Sequence, residues 1–111
     1  MERFSVEASV TDRRVVLTVS GEVDLASADG LRVDFDRWLT DADTVVVDCA
    51  GITFIDSTGL RTLLEASSKA EESGTRFRLA AVPAPVARVF ELAGVTEVFT
   101  IHTDQAAALA D

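Results

Sequence analysis

Apolar and polar residues alternate along the start of the chain, which is the pattern of β-strands that keep one face in water. The first strand places on one face Phe4, Val6, Ala8 and Val10. Thr11-Asp12-Arg13 suits a turn, and a second alternating strand follows over Arg14 to Ser20. The pattern predicts an antiparallel hairpin.

In the middle of the chain the period changes from strand to helix at a short polar corner, residues 56–59. Before the corner, Val45, Val46 and Val47 are β-branched and favour a strand. After it, apolar residues recur on one helical face at Leu60, Leu63 and Leu64. The corner reads D-S-T-G, residue types that cap a helix or let the chain turn. We expect Ser57 to be exposed at or beside the first turn, and Gly74 to end the helix.

A further helix is predicted between the hairpin and the central strand. Its apolar stripe consists of Ala28, Leu31, Phe35, Trp38 and Leu39. Asp24 or Ser27 could cap this helix, and we interpret Trp38 as an anchor in the core rather than as a platform for a ligand.

The last third of the chain predicts four shorter elements. Arg76 to Ala81 alternates as a strand, and Pro83 and Pro85 open a helix that Gly94 ends. A short last strand is expected over Val98 to Ile101. Asp104 to Leu109 follows as a terminal helix, with Thr103 as its cap.

The order of these elements predicts an α/β fold with one mixed sheet. Strands that alternate with helices are joined by right-handed crossovers and run parallel, whereas the hairpin adds an antiparallel edge. Charged residues break the apolar runs of the strands, so helices should cover mainly one face and water the other; examples are Arg14, Asp48, Arg76 and Arg78. We expect about five strands and about four helices in a single domain, residues 1–111.

Composition and charge narrow the function. Hydrophobic residues make up 48% of the chain and charged residues 26%, as in an ordinary globular domain. The net charge of −9 disfavours nucleic acid and favours a basic partner surface. No apolar run is long enough to span a bilayer, and the N-terminus M-E-R-F-S does not resemble a signal peptide, so we expect a cytoplasmic protein without membrane contact.

The single cysteine and the single histidine offer little chemistry. We interpret Cys49, at the end of a strand, as a small buried apolar residue rather than as a catalytic thiol. His102 has no companion cysteines or histidines for a zinc site and is expected in a loop. We therefore predict neither a metal nor a cofactor.

Three enzyme-like interpretations of the corner can be compared with its residues. A serine hydrolase elbow requires Gly two positions before the serine, where Ile55 stands here. A phosphate-binding loop requires glycines and a lysine, but Lys69 lies far along the helix. A phospho-accepting Asp56 could draw carboxylates from Glu22 and Asp24, but it lacks a suitable lysine. The sequence does not predict an enzyme.

Ser57 itself has two interpretations. A D-S-T run at a helix start usually serves only as a cap. A hydroxyl at the positive end of the helix dipole can also carry a phosphate, whose charge meets free N–H groups. The spacing of these residues alone favours the interpretation of Ser57 as part of a helix cap over that of a phosphate acceptor.

Three stretches together resemble the STAS domain, in particular a stand-alone anti-sigma factor antagonist, and the resemblance covers nearly the whole chain. They read L-T-V-S-G-E-V-D-L, V-V-V-D-C-A-G-I-T-F-I-D-S-T-G-L and P-A-P-V-A-R-V-F-E-L-A-G-V. The resemblance implies a sheet with helices on one side. It also implies that Ser57 is phosphorylated by an anti-sigma factor that is a serine kinase. The unphosphorylated form would bind that factor and release the sigma factor, and a serine phosphatase would restore it.

The resemblance further implies a partner surface formed by the loop at residues 21–24 and the first turns of the helix after the corner. The candidate contact residues are Glu22, Asp24, Asp56, Ser57, Thr58, Gly59, Leu60 and Thr62. Asp24 could instead cap the first helix, and Leu60 could be half buried. Thr58, which stands where some members have serine, is a second possible phosphate acceptor. A rival hypothesis is a STAS-type module that binds a nucleotide or another small anion at the same corner.

Overall fold

The computed structural model describes residues 3–110, so both limits of the predicted domain, Met1 and Asp111, lie outside the described residues. The strands are β1 (Phe4–Thr11), β2 (Arg14–Val23), β3 (Thr44–Ile55), β4 (Arg76–Ala80) and β5 (Thr100–His102). The helices are α1 (Ala28–Trp38), α2 (Ser57–Ser73), α3 (Ala84–Ala93) and α4 (Gln105–Leu109), with a 3-10 turn at Thr96–Val98.

The strands of the described chain form one sheet in the order β1-β2-β3-β4-β5. β1 and β2 pair antiparallel, from Phe4 opposite Gly21 to Thr11 opposite Arg14. β2, β3, β4 and β5 pair parallel to one another. The predicted fold class, a mixed sheet with an antiparallel hairpin and parallel remaining strands, is confirmed.

The main core lies between the sheet and the helices α1, α2 and α3. The strands supply alternate residues to it, including Leu17, Val45 and Val47, all fully buried. Because side chains alternate between the two faces of a strand, this face is the apolar one that the sequence pattern predicts. The helices add their stripes, for example Leu31, Leu63 and Phe90.

The opposite face of the sheet is covered in part by α4. A second apolar cluster joins this helix to the strands and consists of Val16, Val46, Ala80 and Ala108. Two polar contacts hold the helix as well: Gln105 Nε2 donates to Asp48 Oδ2 at 2.6 Å, and Arg78 Nη1 donates to the Ala108 carbonyl at 2.6 Å. Asp48 and Arg78, predicted to face water, therefore position the terminal helix.

β2 is longer than the sequence pattern predicted. It does not end at Ser20 but continues to Val23, and it pairs along the way with the end of β3, from Ser20 opposite Gly51 to Val23 opposite Ile55. With register shifts after Thr18 and after Gly21, whose φ is 93°, the strand stays paired through the first three residues of the predicted loop. The prediction of a loop at residues 21–24 is wrong for Gly21, Glu22 and Val23.

The end of the chain also differs from the prediction. The last strand begins at Thr100, after the 3-10 turn, and contains His102, which was expected in a loop. The His102 carbonyl accepts from the Ala81 amide at 3.1 Å, and this bond extends the β4–β5 pairing by one residue. α4 is capped by Asp104, whose Oδ1 accepts from the Ala107 amide at 2.8 Å, rather than by Thr103.

Trp38 is half-buried at the margin of the core rather than at its centre. The Arg37 guanidinium lies over its ring, 5.0 Å from the centroid. This contact lets the indole shield core residues while one side stays near water.

Candidate functional site

Ser57 is the first residue of α2 and its side chain is exposed, as the sequence predicted. It lies at the edge of the sheet where the parallel strands end, because α2 follows β3 directly. The helix spans 17 residues, so its dipole places a positive potential at this edge. A negative group on the Ser57 oxygen would lie at the favourable end of that dipole.

Asp56 caps α2 and also ties the corner to the loop that follows β2. Its Oδ1 accepts from the Gly59 amide at 2.8 Å, and its Oδ2 accepts from the Leu25 amide at 3.3 Å. Its own amide donates to the Val23 carbonyl at 3.2 Å. The residue before Ser57 is therefore held from three directions, and the serine is presented on a fixed corner.

At Gly59 the backbone of α2 packs directly against the end of β2. A Cβ atom at this position would lie 2.2 Å from the Val23 carbonyl oxygen and 2.8 Å from the carbonyl carbon. Real Cβ atoms do not approach backbone this closely, so the third residue of the helix must be glycine for the corner to pack as it does. The role of Gly59 in the structure is therefore close packing.

Asp24 has a structural role in the turn before α1. Its Oδ1 accepts from the amides of Ala26 at 3.0 Å and Ser27 at 3.2 Å. Ser27 occupies the N-cap position, but its hydroxyl donates to the Glu22 carbonyl at 2.8 Å and makes no cap bond to the helix. Of the two caps proposed from sequence, Ser27 holds the position without the cap bond, and Asp24 orders the preceding turn.

Glu22 lies near the end of β2 and forms an ion pair with Arg3, the residue that precedes β1. Arg3 Nη2 also lies 3.9 Å from Asp24 Oδ2. The Arg3 side chain is exposed, so water and salt screen both contacts and they contribute little to stability. Their effect is to hold two carboxylates near the loop that contacts Asp56.

The remaining candidate residues differ in accessibility. Thr58 is half-buried, and its carbonyl accepts from the Thr62 hydroxyl at 3.0 Å. Thr62 is fully buried and Leu60 is 8% exposed, so the helix directs both side chains inward. Of the eight candidate residues, those with side chains at least partly in solvent at this edge are Glu22, Asp24, Asp56, Ser57 and Thr58.

Two exposed apolar residues at this edge were not singled out from the sequence. Leu25 is 76% exposed and Phe54 is 51% exposed. Leu25 follows Asp24 in the turn before α1, and Phe54 pairs in register with Glu22. Two features of the sequence could have identified them as exposed. Leu25 is a leucine in a short polar turn, and Phe54 stands at the end of a strand, where the apolar alternation did not assign it to the core.

Cys49 and His102 lie away from this corner. Cys49 is completely buried on β3, and loss of hydration raises the pKa of its thiol to about 12. It is a small buried apolar residue, as predicted, and does not form the thiolate that nucleophilic chemistry needs. The Nε2 atom of His102 is buried without a hydrogen-bond partner among residues 3–110.

The chain matches the STAS domain family over residues 5–108 and therefore belongs to that family. It is similar to the anti-sigma F factor antagonist of Paenibacillus polymyxa, with 23% identity over 87% of this chain and 85% of that protein. Its fold resembles that of an anti-sigma factor antagonist from Mycobacterium paratuberculosis, with 25% identity, a TM-score of 0.85, and coverage of 96% of this chain and 91% of the other.

A third relative has been solved in two states. SpoIIAA, an anti-sigma factor antagonist and Bacillus cell fate determinant, shares the fold in its unphosphorylated form, with 24% identity and a TM-score of 0.76. The phosphorylated form matches with 23% identity and a TM-score of 0.71. The two matches cover 94% of this chain and 91% and 95% of the respective SpoIIAA chains. The relatives named here are anti-sigma factor antagonists.

In the part of the chain that the structure describes, every helix is too short or too polar to cross a lipid bilayer.

Proposed function

We propose that this chain is an anti-sigma factor antagonist whose binding is switched off by phosphorylation of Ser57. Unphosphorylated, it binds an anti-sigma factor that is also a serine kinase, and the sigma factor is released to act in transcription. A serine phosphatase reverses the modification. The chain itself acts by binding rather than by catalysis, in the cytoplasm. The observation that supports this most directly is an exposed serine at the first position of α2, in a chain of the STAS domain family.

The relatives support the first half of the proposal and the fold of SpoIIAA supports the second. Relatives that cover most of this chain are antagonists of anti-sigma factors. SpoIIAA, which shares the fold, exists in a phosphorylated form. Ser57 is also the more accessible of the two candidate acceptors, because it is exposed whereas Thr58 is half-buried.

Electrostatics explains how one phosphate would prevent binding. It adds about −1.5 to −2 charges at neutral pH, next to Asp56 and in a chain of net charge −9. A partner that covered the corner would have to bury that charge or meet it with cations. The Gly59 amide is taken by Asp56, but the amides of Ser57 and Thr58 at the start of α2 can solvate the phosphate locally, so the antagonist does not need to refold.

The switch should therefore be local. Amide chemical shifts should change mainly for residues 50 to 65 when Ser57 is phosphorylated, and the rest of the sheet should superpose. Shifts that spread through β1 and β4 would contradict a local mechanism and indicate a rearrangement of the fold.

The rival hypothesis, an anion or nucleotide site at the same corner, is less well supported. The Asp56 carboxylate already accepts from the amides of Gly59 and Leu25, so fewer donors remain to hold an anion that is not covalently attached. It would also repel the anion. The positive end of the α2 dipole would attract an anion, but the neighbouring Asp56 charge opposes it, and calorimetry with ATP and GTP would detect such binding.

Phosphorylation can be tested by intact mass. The chain is incubated with ATP and each purified anti-sigma factor kinase encoded in the same genome, and the modified residue is mapped by peptide sequencing. We expect one added phosphate on Ser57, its loss in Ser57→Ala, and its retention in Thr58→Val. Modification that persists in Ser57→Ala and disappears in Thr58→Val would move the site to Thr58.

Binding is tested with the same kinases. Ser57→Ala should keep the affinity of the unphosphorylated chain even after incubation with ATP, whereas Ser57→Asp should bind more weakly because it adds one negative charge at the corner. Equal binding by both variants would show that charge at residue 57 does not control the complex.

A further inference from the structure

Two large apolar side chains are exposed to solvent near Ser57. Leu25 is 76% exposed, and its amide donates to Asp56 Oδ2 at 3.3 Å, so it lies beside the residue before the serine. Phe54 is 51% exposed and precedes Ser57 by three positions, which limits their Cα separation to about 11 Å. Burying either side chain against a partner would be favourable because each now exposes apolar surface to water.

The surroundings of this pair are acidic. Glu22 is in register with Phe54, Asp24 precedes Leu25, and Asp56 binds the Leu25 amide. Arg3 pairs with Glu22, and Arg61 is exposed one turn into α2, so three carboxylates and two guanidinium groups lie at or near this edge. The edge keeps the negative sign of the whole chain, and a complementary surface would be apolar at its centre and basic at its border.

The position of Ser57 identifies which partner covers the pair. A standard interface buries about 800 Å² on each partner, which corresponds to a circle of roughly 16 Å radius. A protein whose binding depends on residue 57 must cover that residue, and such a circle centred there includes both Leu25 and Phe54. A phosphate on Ser57 would then lie in the same interface as two apolar contacts, where burying its charge costs most.

We propose that Leu25 and Phe54 are the apolar anchors with which the chain docks to its anti-sigma factor, in an apolar depression bordered by lysine or arginine. This inference rests on the proposed function, because it takes the anti-sigma factor as the occupant of the surface. Apolar anchors next to the modified serine increase the loss of affinity on phosphorylation, because the contact that binds the partner would also exclude water from the phosphate.

The test compares two pairs of alanine variants. Leu25→Ala is matched by Leu92→Ala, since Leu92 is also 76% exposed. Leu92 lies about 12 Å along the axis of α3 from the sheet edge at which both α2 and α3 begin. Phe54→Ala is matched by Val98→Ala, where the side chain is 54% exposed. All four changes remove exposed groups, and Leu25→Ala keeps the backbone donor to Asp56, so thermal unfolding should show four folded proteins.

Dissociation constants are measured by calorimetry against the purified anti-sigma factor kinases used above, in the presence of ADP so that no phosphate is transferred. We expect Leu25→Ala and Phe54→Ala to weaken binding by about 5- to 30-fold, as residues at the centre of an interface do, and both controls to bind within about twofold of wild type. The association rate should fall as salt is raised, because the border is charged.

Each negative result has a distinct meaning. If both anchor variants bind like wild type while Ser57→Asp still binds weakly, the anchor inference is wrong and the proposed function stands. If an association rate is the same at low and high salt, the basic border is wrong. If neither wild type nor Ser57→Ala binds any of the kinases, the proposed function fails and the anchors fail with it.

Discussion

The third residue of α1 and the third residue of α2 are both glycines, Gly30 and Gly59, but the structure predicts opposite effects for the same substitution. In a helix, alanine is favoured over glycine by about 1 kcal/mol. At Gly30 a new Cβ would lie 4.0 Å from the Phe4 ring, an ordinary contact. Gly30→Ala should therefore stabilise the fold by about 0.5 to 1 kcal/mol.

At Gly59 the same Cβ would overlap the backbone of Val23, with 2.2 Å to the carbonyl oxygen. Moving α2 away by about 1 Å costs about 1 to 3 kcal/mol, as other overpacking changes do. The Val23 carbonyl also accepts from the Asp56 amide, and weakening that bond adds about 1 kcal/mol. After the gain in helix propensity is subtracted, Gly59→Ala should destabilise the fold by about 2 kcal/mol.

Urea unfolding followed by far-UV circular dichroism measures both variants. In thermal scans the midpoint should rise by about 3 °C for Gly30→Ala and fall by about 8 °C for Gly59→Ala, since a domain of this size shifts about 4 °C per kcal/mol. The comparison removes helix propensity as an explanation, because it acts in the same direction in both variants. A Gly59→Ala variant as stable as Gly30→Ala would refute the close packing of α2 on β2.

Three further predictions concern single side chains. Asp56→Ala should lower the free energy of unfolding by about 1 to 2 kcal/mol through loss of the cap, whereas Asp56→Asn should lose less because its oxygen can still accept; equal losses in urea titrations would contradict this. Cys49 should not react with Ellman's reagent at pH 8 until the chain unfolds, because burial raises the pKa of its thiol to about 12; rapid labelling of the native protein would disprove it. Partial desolvation raises the pKa of Asp34, so its contribution to stability is present at low pH and is lost as pH rises through the folded-state pKa. Asp34→Asn should therefore be slightly more stable than wild type at pH 7 and equal to it near pH 3, in unfolding curves at both values.

The corner at residues 56–59 could be predicted from the sequence because its determinants are local. The period of the apolar residues changes there from strand to helix, and aspartate, serine and glycine each have a specific backbone use at a helix start. The exposure of Ser57 follows from the same pattern, since a residue in the first turn with no apolar partner on its face remains in water.

Features that depend on long-range contacts could not be predicted in the same way. β2 continues past Ser20 because the far end of β3 pairs with it. The residues of β2 alone do not indicate that pairing. Arg78 reads as a water-facing residue of a strand, yet it donates to the carbonyl of Ala108, 30 positions later. α4 has only five residues, so its sequence pattern is too short to decide whether the helix begins after Thr103 or after Asp104.

At this edge of the sheet, the residues that build the corner and the residue that would be modified are different ones. Asp56 joins α2 to the loop after β2 through hydrogen bonds, and Gly59 allows the helix to approach Val23, so both residues have structural roles. Ser57 stands between them with its side chain in solvent. Because the corner does not depend on the serine hydroxyl for its shape, the proposed phosphate could be added or removed without changing the surface around it. Phosphorylation would then change the charge of that surface while its geometry persists, which is what a reversible switch of protein binding requires.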